Sequence, residues 1–524
     1  MRLSRLAGHL FLGTLGVTSV VGCGSDDEKK AQATGLAAGT VCNPDDKDHP
    51  NGGCIDGTVC EKKEGSAQAM CLVTEGGNCD PDQDYCTDGL VCAGTSSGKN
   101  QCFGQVVLRG MVEDAGTHDP VEGARVMAID EVGAAVTDVA ETDAAGHYEL
   151  PVPVVRNDDG SPARSKFTLS AAAQEYQAFP SGVRVALPID ASTALADHGS
   201  YVVENALTTV DLIALPNGDR SQISGSIVAL DGHSDAPVGG VLVVAKGDAG
   251  AVSGLSDRAG KFTVFNVPAG AYELRGYGAD IQIESKSVSV AKEPLTGVDL
   301  AELDQPTTTV SGSVQIVNAP GNSMTSVILV VEDTFDATVA RGEVPRGLRS
   351  PRSGAPNVTG SFSIAGVPAG KYVALAAYEN DGLVRDPDTN IAGTDFAHLE
   401  VTAGQAATTI AESFKVTAAL GTVSPGADAP EAVSDKPDLV WLDDSSEDWY
   451  DLHVFDALGN EVWQSLKLPA VKGSMNVTVK YGGPLDAGMY YQFRVSSWRQ
   501  PGHGDAAPIA TTEDLRGVFY LPPQ

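Results

Sequence analysis

Basic residues are scarce in this 524-residue chain: 35 Lys+Arg stand against 69 Asp+Glu, for a formal charge of −34 and a pI near 4.4. A surface this acidic repels phosphate backbones and anionic lipid, which excludes nucleic acid as a partner. Beyond the N-terminal stretch no run of about 20 apolar residues occurs, so no membrane-spanning helix is expected. Long helix-period segments with proper caps are missing too, which argues against a helical architecture. Cysteine is absent after Cys102, and tryptophan before Trp441. Hydrophobic residues nonetheless make up 42% of the chain, which excludes disorder along its whole length. With 59 Gly and 29 Pro, the composition suggests many short strands joined by turns. At ~100–200 residues per domain, the length implies about three to five domains.

Residues 1–22 read as an export signal. Arg2 and Arg5 supply the positive start, and Leu10-Phe11-Leu12-Gly13-Thr14-Leu15-Gly16-Val17 the apolar stretch. It ends in Val20-Val21-Gly22-Cys23, which resembles the bacterial lipobox. The resemblance implies cleavage before Cys23, with a diacylglyceryl thioether and an N-acyl chain on that residue. Several acyl chains, at ~0.8 kcal/mol per buried methylene, make a durable membrane anchor. Loss of residues 1–22 removes two arginines and no acid, moving the charge from −34 to −36. Residues 23–41 are small and polar, as a flexible tether should be. Gly24, not Asp, follows the cysteine, which by resemblance to enterobacterial sorting implies an outer-membrane lipoprotein at the periplasmic face or cell surface.

Eight of the nine cysteines form a disulfide-rich repeat pair at 42–102. Cys42, Cys54, Cys60 and Cys71 make the first unit, and Cys79, Cys86, Cys92 and Cys102 the second. Cys54-Ile55-Asp56-Gly57-Thr58-Val59-Cys60 matches Cys86-Thr87-Asp88-Gly89-Leu90-Val91-Cys92. Units this small cannot bury a core unaided, and an exported chain meets an oxidising compartment, so disulfides within each unit are expected. Four cysteines allow three connectivities, and the sequence does not choose among them. The shared core resembles the Dickkopf-type cysteine-rich repeat. Zinc is the rival reading, but Cys-x-x-Cys is absent.

From Val106 onward apolar residues alternate between Gly and Pro punctuation, the pattern of half-buried strands. Gly260-Lys261-Phe262-Thr263-Val264 followed by Val267-Pro268-Ala269-Gly270-Ala271-Tyr272 recurs as Gly360-Ser361-Phe362-Ser363-Ile364 followed by Val367-Pro368-Ala369-Gly370-Lys371-Tyr372. Pro fixes φ and Gly is free to take φ > 0, so a tight turn is expected at Pro268-Ala269-Gly270. Openings at Leu108-Arg109-Gly110-Met111, Ile223-Ser224-Gly225-Ser226 and Val310-Ser311-Gly312-Ser313 mark three copies. These motifs resemble the carboxypeptidase regulatory-like domain, a transthyretin-like sandwich of seven strands. The resemblance implies non-catalytic sandwiches at 105–215, 220–303 and 308–418. No His-Glu-x-x-His occurs, and no histidine has a glutamate three residues later, so peptidase zinc chemistry is not expected.

The segment 420–524 holds all four tryptophans. Pro437-Asp438-Leu439-Val440-Trp441 reads as a strand with Leu439 and Trp441 inward. Leu485 to Val495 resembles the tyrosine corner of a fibronectin type III domain, with Tyr491, Phe493 and Val495 inward. Trp449 and Trp498 sit at strand ends or loops, either capping the core or forming a stacking platform; they are the candidate ligand contacts. The fold expected is all-β, with tandem seven-stranded sandwiches after a small disulfide-rich module.

Other constellations read as structural. Gly94-Thr95-Ser96-Ser97-Gly98 lies between Cys92 and Cys102, where no nucleophile elbow forms. Asp80, Asp82 and Asp84 imitate a calcium loop but have Tyr85 and Val91 where Gly and Glu belong; Asp386, Asp388 and Asn390 fail likewise at Ile391 and Ala397. Arg341, Arg346, Arg349 and Arg352 form a basic loop, read as an exposed insertion or as contacts to an acidic polysaccharide or acidic neighbouring domain. The histidines lack ligand spacing. No catalytic set, metal or cofactor is expected. The function expected is a lipid-anchored, non-catalytic adhesion, scaffold or ligand-binding protein of the envelope, with a polysaccharide or envelope protein as partner. The alternative is a carbohydrate- or partner-binding accessory subunit of a surface enzyme system.

Overall fold

The structure, a computed structural model, describes residues 35–523 other than 84, 131–133, 182–183, 231–237, 317–324, 338–340, 353–356, 378–395, 411–413, 417–418, 445, 472, 501 and 503–505. Residues 1–34, which include the segment read as an export signal and Cys23, lie outside the described residues, as do Asp84 and the Asp386-Asp388-Asn390 set. The chain divides into two compact units, Met1–Leu72 and Val73–Gln524. Its regular structure is nearly all strand, with four short 3-10 turns among the described residues.

In the first unit, strand Thr58–Glu61 pairs with Met70–Val73. The bridges are Cys42–Cys60 and Cys54–Cys71. The second unit opens with the hairpin Leu90–Gly94 and Asn100–Gly104, bridged by Cys79–Cys92 and Cys86–Cys102. Both quartets thus join first to third and second to fourth cysteine, selecting one of the three connectivities. The repeated Asp-Gly makes the same turn twice: Thr58 N–H donates to Ile55 O (3.1 Å), and Leu90 N–H to Thr87 O (3.0 Å). Gly57 and Gly89 both take φ of 81°, which only glycine adopts freely. Each bridge closes a loop with a sequence separation of 13 to 18, worth about 3 kcal/mol.

Four β-sandwiches follow, and alternation decides their faces: His147–Val152 buries every second residue. The first sandwich packs a six-stranded sheet around Val106–Asp114 against a four-stranded one around Lys166–Ala172 and Arg125–Ile129. The second packs Lys261–Pro268, Arg220–Val228 and Leu295–Ala301 against four strands centred on Leu242–Gly247 and Gly270–Tyr277, seven in all. The third has two four-stranded sheets, and the fourth a three- and a six-stranded sheet. The seven-strand plan is therefore met by the second sandwich, and extra edge strands enlarge the others.

In the first three sandwiches the opening strand runs parallel to the closing one: Val106–Asp114 with Thr209–Ala214, Arg220–Val228 with Leu295–Ala301, and Thr308–Ile316 with Phe414–Val416. The recurring glycine makes room for this pairing. A Cβ on Gly110 would lie 1.8 Å from Thr208 O, and one on Gly225 would lie 1.7 Å from Val298 O. The Pro-Ala-Gly segment behaves differently from expectation. Lys261–Pro268 and Gly270–Tyr277 belong to different sheets, so the segment carries the chain across the sandwich instead of closing a hairpin. Positive φ falls on Asn266 (59°) and its counterpart Gly366 (75°), where a bulge shifts the register.

The sandwiches also share cores. Phe455 and Ala457 of the fourth join the core of the first. Leu242, Val244 and Tyr277 of the second pack into the third, where Tyr277 meets the Tyr372 ring edge-on at 5.9 Å. Ala134 of the first completes an apolar cluster with Ile328, Val330, Val373 and Leu375 of the third.

Candidate functional site

The basic insertion lies where the sandwiches meet. Arg349 Nη1 donates to Asp130 Oδ2 of the first sandwich at 2.7 Å, with side chains only 10% and 7% exposed. Asp130 Oδ1 also accepts the Ala134 N–H (2.9 Å), so the carboxylate is held from both sides. Arg352 pairs with Asp280 of the second sandwich and donates to Ala365 O at 2.8 Å. This pairing holds the Arg352 guanidinium above its ordinary pKa. Arg341 reaches Asp514 of the fourth sandwich at 2.9 Å, an acid that also accepts from Arg494 (2.7 Å). Of the two sharper readings of this loop, contact with acidic neighbouring domains is the one these three arginines make. Spacing could not reveal the acids, the nearest of which is Asp280.

Arg346 is the exception. It is exposed, and among the described residues no carboxylate pairs with it. It lines two adjoining cavities of about 490 and 540 Å³ that share Val136, Pro153, Gly239 and Gly240. Arg258 enters the first cavity, its Nε 3.8 Å from Asp138. Acids line the two cavities as well, Asp138 the first and Asp130 and Asp280 the second, so the arginine charge there is largely met by carboxylates.

The second surface is aromatic. Trp449, the first residue of strand Trp449–Asp456, lies directly opposite Trp498, near the end of Tyr490–Arg499. Their neighbours Tyr450, Leu452, Phe493 and Val495 point inward and are fully buried, so alternation puts both indoles on the other face of the sheet. The rings are half-buried and nearly parallel, at 4° with centroids 6.1 Å apart, and Lys467 Nζ lies 5.9 Å from the Trp449 ring. Beside them, burial raises the Glu447 carboxyl above its ordinary pKa, and Asp443 and Asp444 add to the shift. The other aromatics follow expectation. Leu439, Trp441, Phe493 and Val495 are 0% exposed. Trp463 packs edge-on against Tyr481. The Tyr491 hydroxyl accepts the Asp486 N–H at 3.0 Å, five residues upstream.

One grouping escaped linear spacing: His118 Nδ1 lies 2.9 Å from Glu113 Oε1, beside Asp211 from a strand almost a hundred residues away.

No family model matches the chain, and no curated protein matches it. Among solved structures the chain is similar to the Bacillus anthracis TIE protein, at 10% identity over 76% of this chain and 67% of that one, with a TM-score of 0.14. It is similar to the minor pilin GBS52 of Streptococcus agalactiae at 12% identity, over 38% of this chain and 98% of that one, with a TM-score of 0.15. For BcpA, the major pilin subunit of Bacillus cereus, the values are 11%, 60%, 100% and 0.16. Likeness at this level assigns neither activity nor partner.

Proposed function

We propose that this chain is a lipid-anchored, non-catalytic protein of the bacterial envelope whose interlocked sandwiches carry an aromatic binding face. The observation that carries the reading is the Trp449–Trp498 pair, stacked across two strands outside the core. Such a pair offers apolar ring surface outside the core that suits the face of a sugar ring or a partner's side chain. Cys23, after the lipobox-like Val20-Val21-Gly22, supplies the anchor in this reading, and residues 23–41 the tether. The same indole pair favours a second reading, a carbohydrate-binding accessory subunit of a surface enzyme system.

One experiment addresses anchor and face together. Cys23→Ser should release the full chain from the membrane fraction and supply soluble protein for screening against envelope polysaccharides and detergent-solubilised envelope proteins. Trp449→Ala and Trp498→Ala in that background should each weaken capture at least about tenfold, with Tm barely shifted. A Cys23→Ser chain that still sediments with salt-washed membranes contradicts the anchor. Capture unchanged by either alanine, or a large fall in Tm, contradicts the binding face.

A further inference from the structure

Glu113 and Asp211 are direct partners in the parallel pairing of Val106–Asp114 with Thr209–Ala214. Like charges placed opposite one another on adjacent strands repel. Asp211 is also 3% exposed, and among the described residues its Oδ1 accepts no hydrogen bond. A buried carboxylate oxygen without a donor is costly unless something positive meets it. Arg184 is one nearby positive charge, but its Nη2 donates to Leu458 O and its guanidinium lies over the Phe179 ring at 4.9 Å. The other basic group here is His118, whose ring is exposed and faces Glu113, so the buried Asp211 Oδ1 is left without a donor of its own.

The turn after Glu113 brings a third ligand to the same place. Asp114 Oδ1 accepts the N–H groups of Gly116 (2.7 Å) and Thr117 (2.9 Å), and the His118 N–H closes the turn on Asp114 O at 2.8 Å. His118 takes φ of 60°, a left-handed conformation that is strained for a non-glycine residue. The result folds the imidazole back over the strand, with Nδ1 2.9 Å from Glu113 Oε1. One ligand atom from each of Glu113, His118 and Asp211 lies within 4.8 Å of the others.

We propose that Glu113, His118 and Asp211 bind one divalent metal ion of the zinc class, tying the closing strand of the first sandwich to its opening strand. Two carboxylates neutralise the ion and an imidazole nitrogen completes a three-residue set. The exposed side of His118 leaves water the fourth position, as zinc accepts. The imidazole selects against calcium and magnesium, which take oxygen ligands. The ion also removes the repulsion between Glu113 and Asp211.

The test uses the full chain with its four described disulfides intact and no reactive thiol besides Cys23, which Cys23→Ser removes. The chelator-stripped protein is titrated with ZnCl₂ by calorimetry, with metal analysis after gel filtration. Saturable uptake of a single equivalent and a higher Tm with zinc are expected. His118→Ala should lower zinc affinity at least about tenfold and abolish the rise in Tm that zinc gives the parent chain. Asp211→Asn should lose affinity similarly. No stoichiometric uptake by the parent chain, uptake indifferent to His118→Ala, or displacement by equimolar calcium would each overturn the site.

Discussion

Arg349 and Asp130 come from segments 219 residues apart and meet in a nearly water-free contact. Removing one partner of such a pair strands the other charge, so Arg349→Ala should destabilise the chain by about 3–5 kcal/mol. Denaturant titration should show that loss, with most of it recovered when Asp130→Ala is added. A single variant within about 0.5 kcal/mol of the parent would mean the pair carries no weight. Arg341 with Asp514 is a different case: those side chains are 43% and 32% exposed, and screening limits the pair to about 1 kcal/mol or less. The arginines were legible in the sequence as an anomaly in an acidic chain. Their partners were not, because each acid is one of 69 and only the folded chain brings it near.

At the scale of strands, the parallel pairing of first and last strand depends on a missing side chain. Gly225→Ala would drive a methyl into Val298 O, so the strands must part, at a cost of about 1–3 kcal/mol or more. Hydrogen exchange should show lost amide protection in Leu295–Ala301 and little change in the fourth sandwich. Protection unchanged in Leu295–Ala301 would refute the steric argument. The sequence announced these strands well, because alternation and Gly-Pro punctuation are local signals. Turn chemistry was less legible: at Pro268-Ala269-Gly270 the glycine looked decisive, yet the left-handed residue is Asn266, set by a bulge against Arg220–Val228. The metal-ligand candidates were hidden for the same reason, since Glu113 and Asp211 become neighbours only through strand pairing.

For the whole molecule, the class was written in composition and the interlocking was not. Eight clustered cysteines, repeated Gly-Pro motifs and a C-terminal tryptophan set announce a disulfide-rich module and successive sandwiches. One clue to the interlocking was present: Ser326-Val327-Ile328-Leu329-Val330-Val331 is apolar on both faces, and a strand of that kind must be covered on both. Its outer residues Ile328 and Val330 are covered with Ala134 of the first sandwich. Shared cores and the arginines of one insertion pin the four sandwiches of the second unit, so they should unfold as one body. Differential scanning calorimetry of the full chain reads this cooperativity. One dominant cooperative transition is predicted for the sandwiches, moving as a whole to lower temperature in Arg349→Ala. Separate transitions for individual sandwiches, with Arg349→Ala shifting only one of them, would contradict the account.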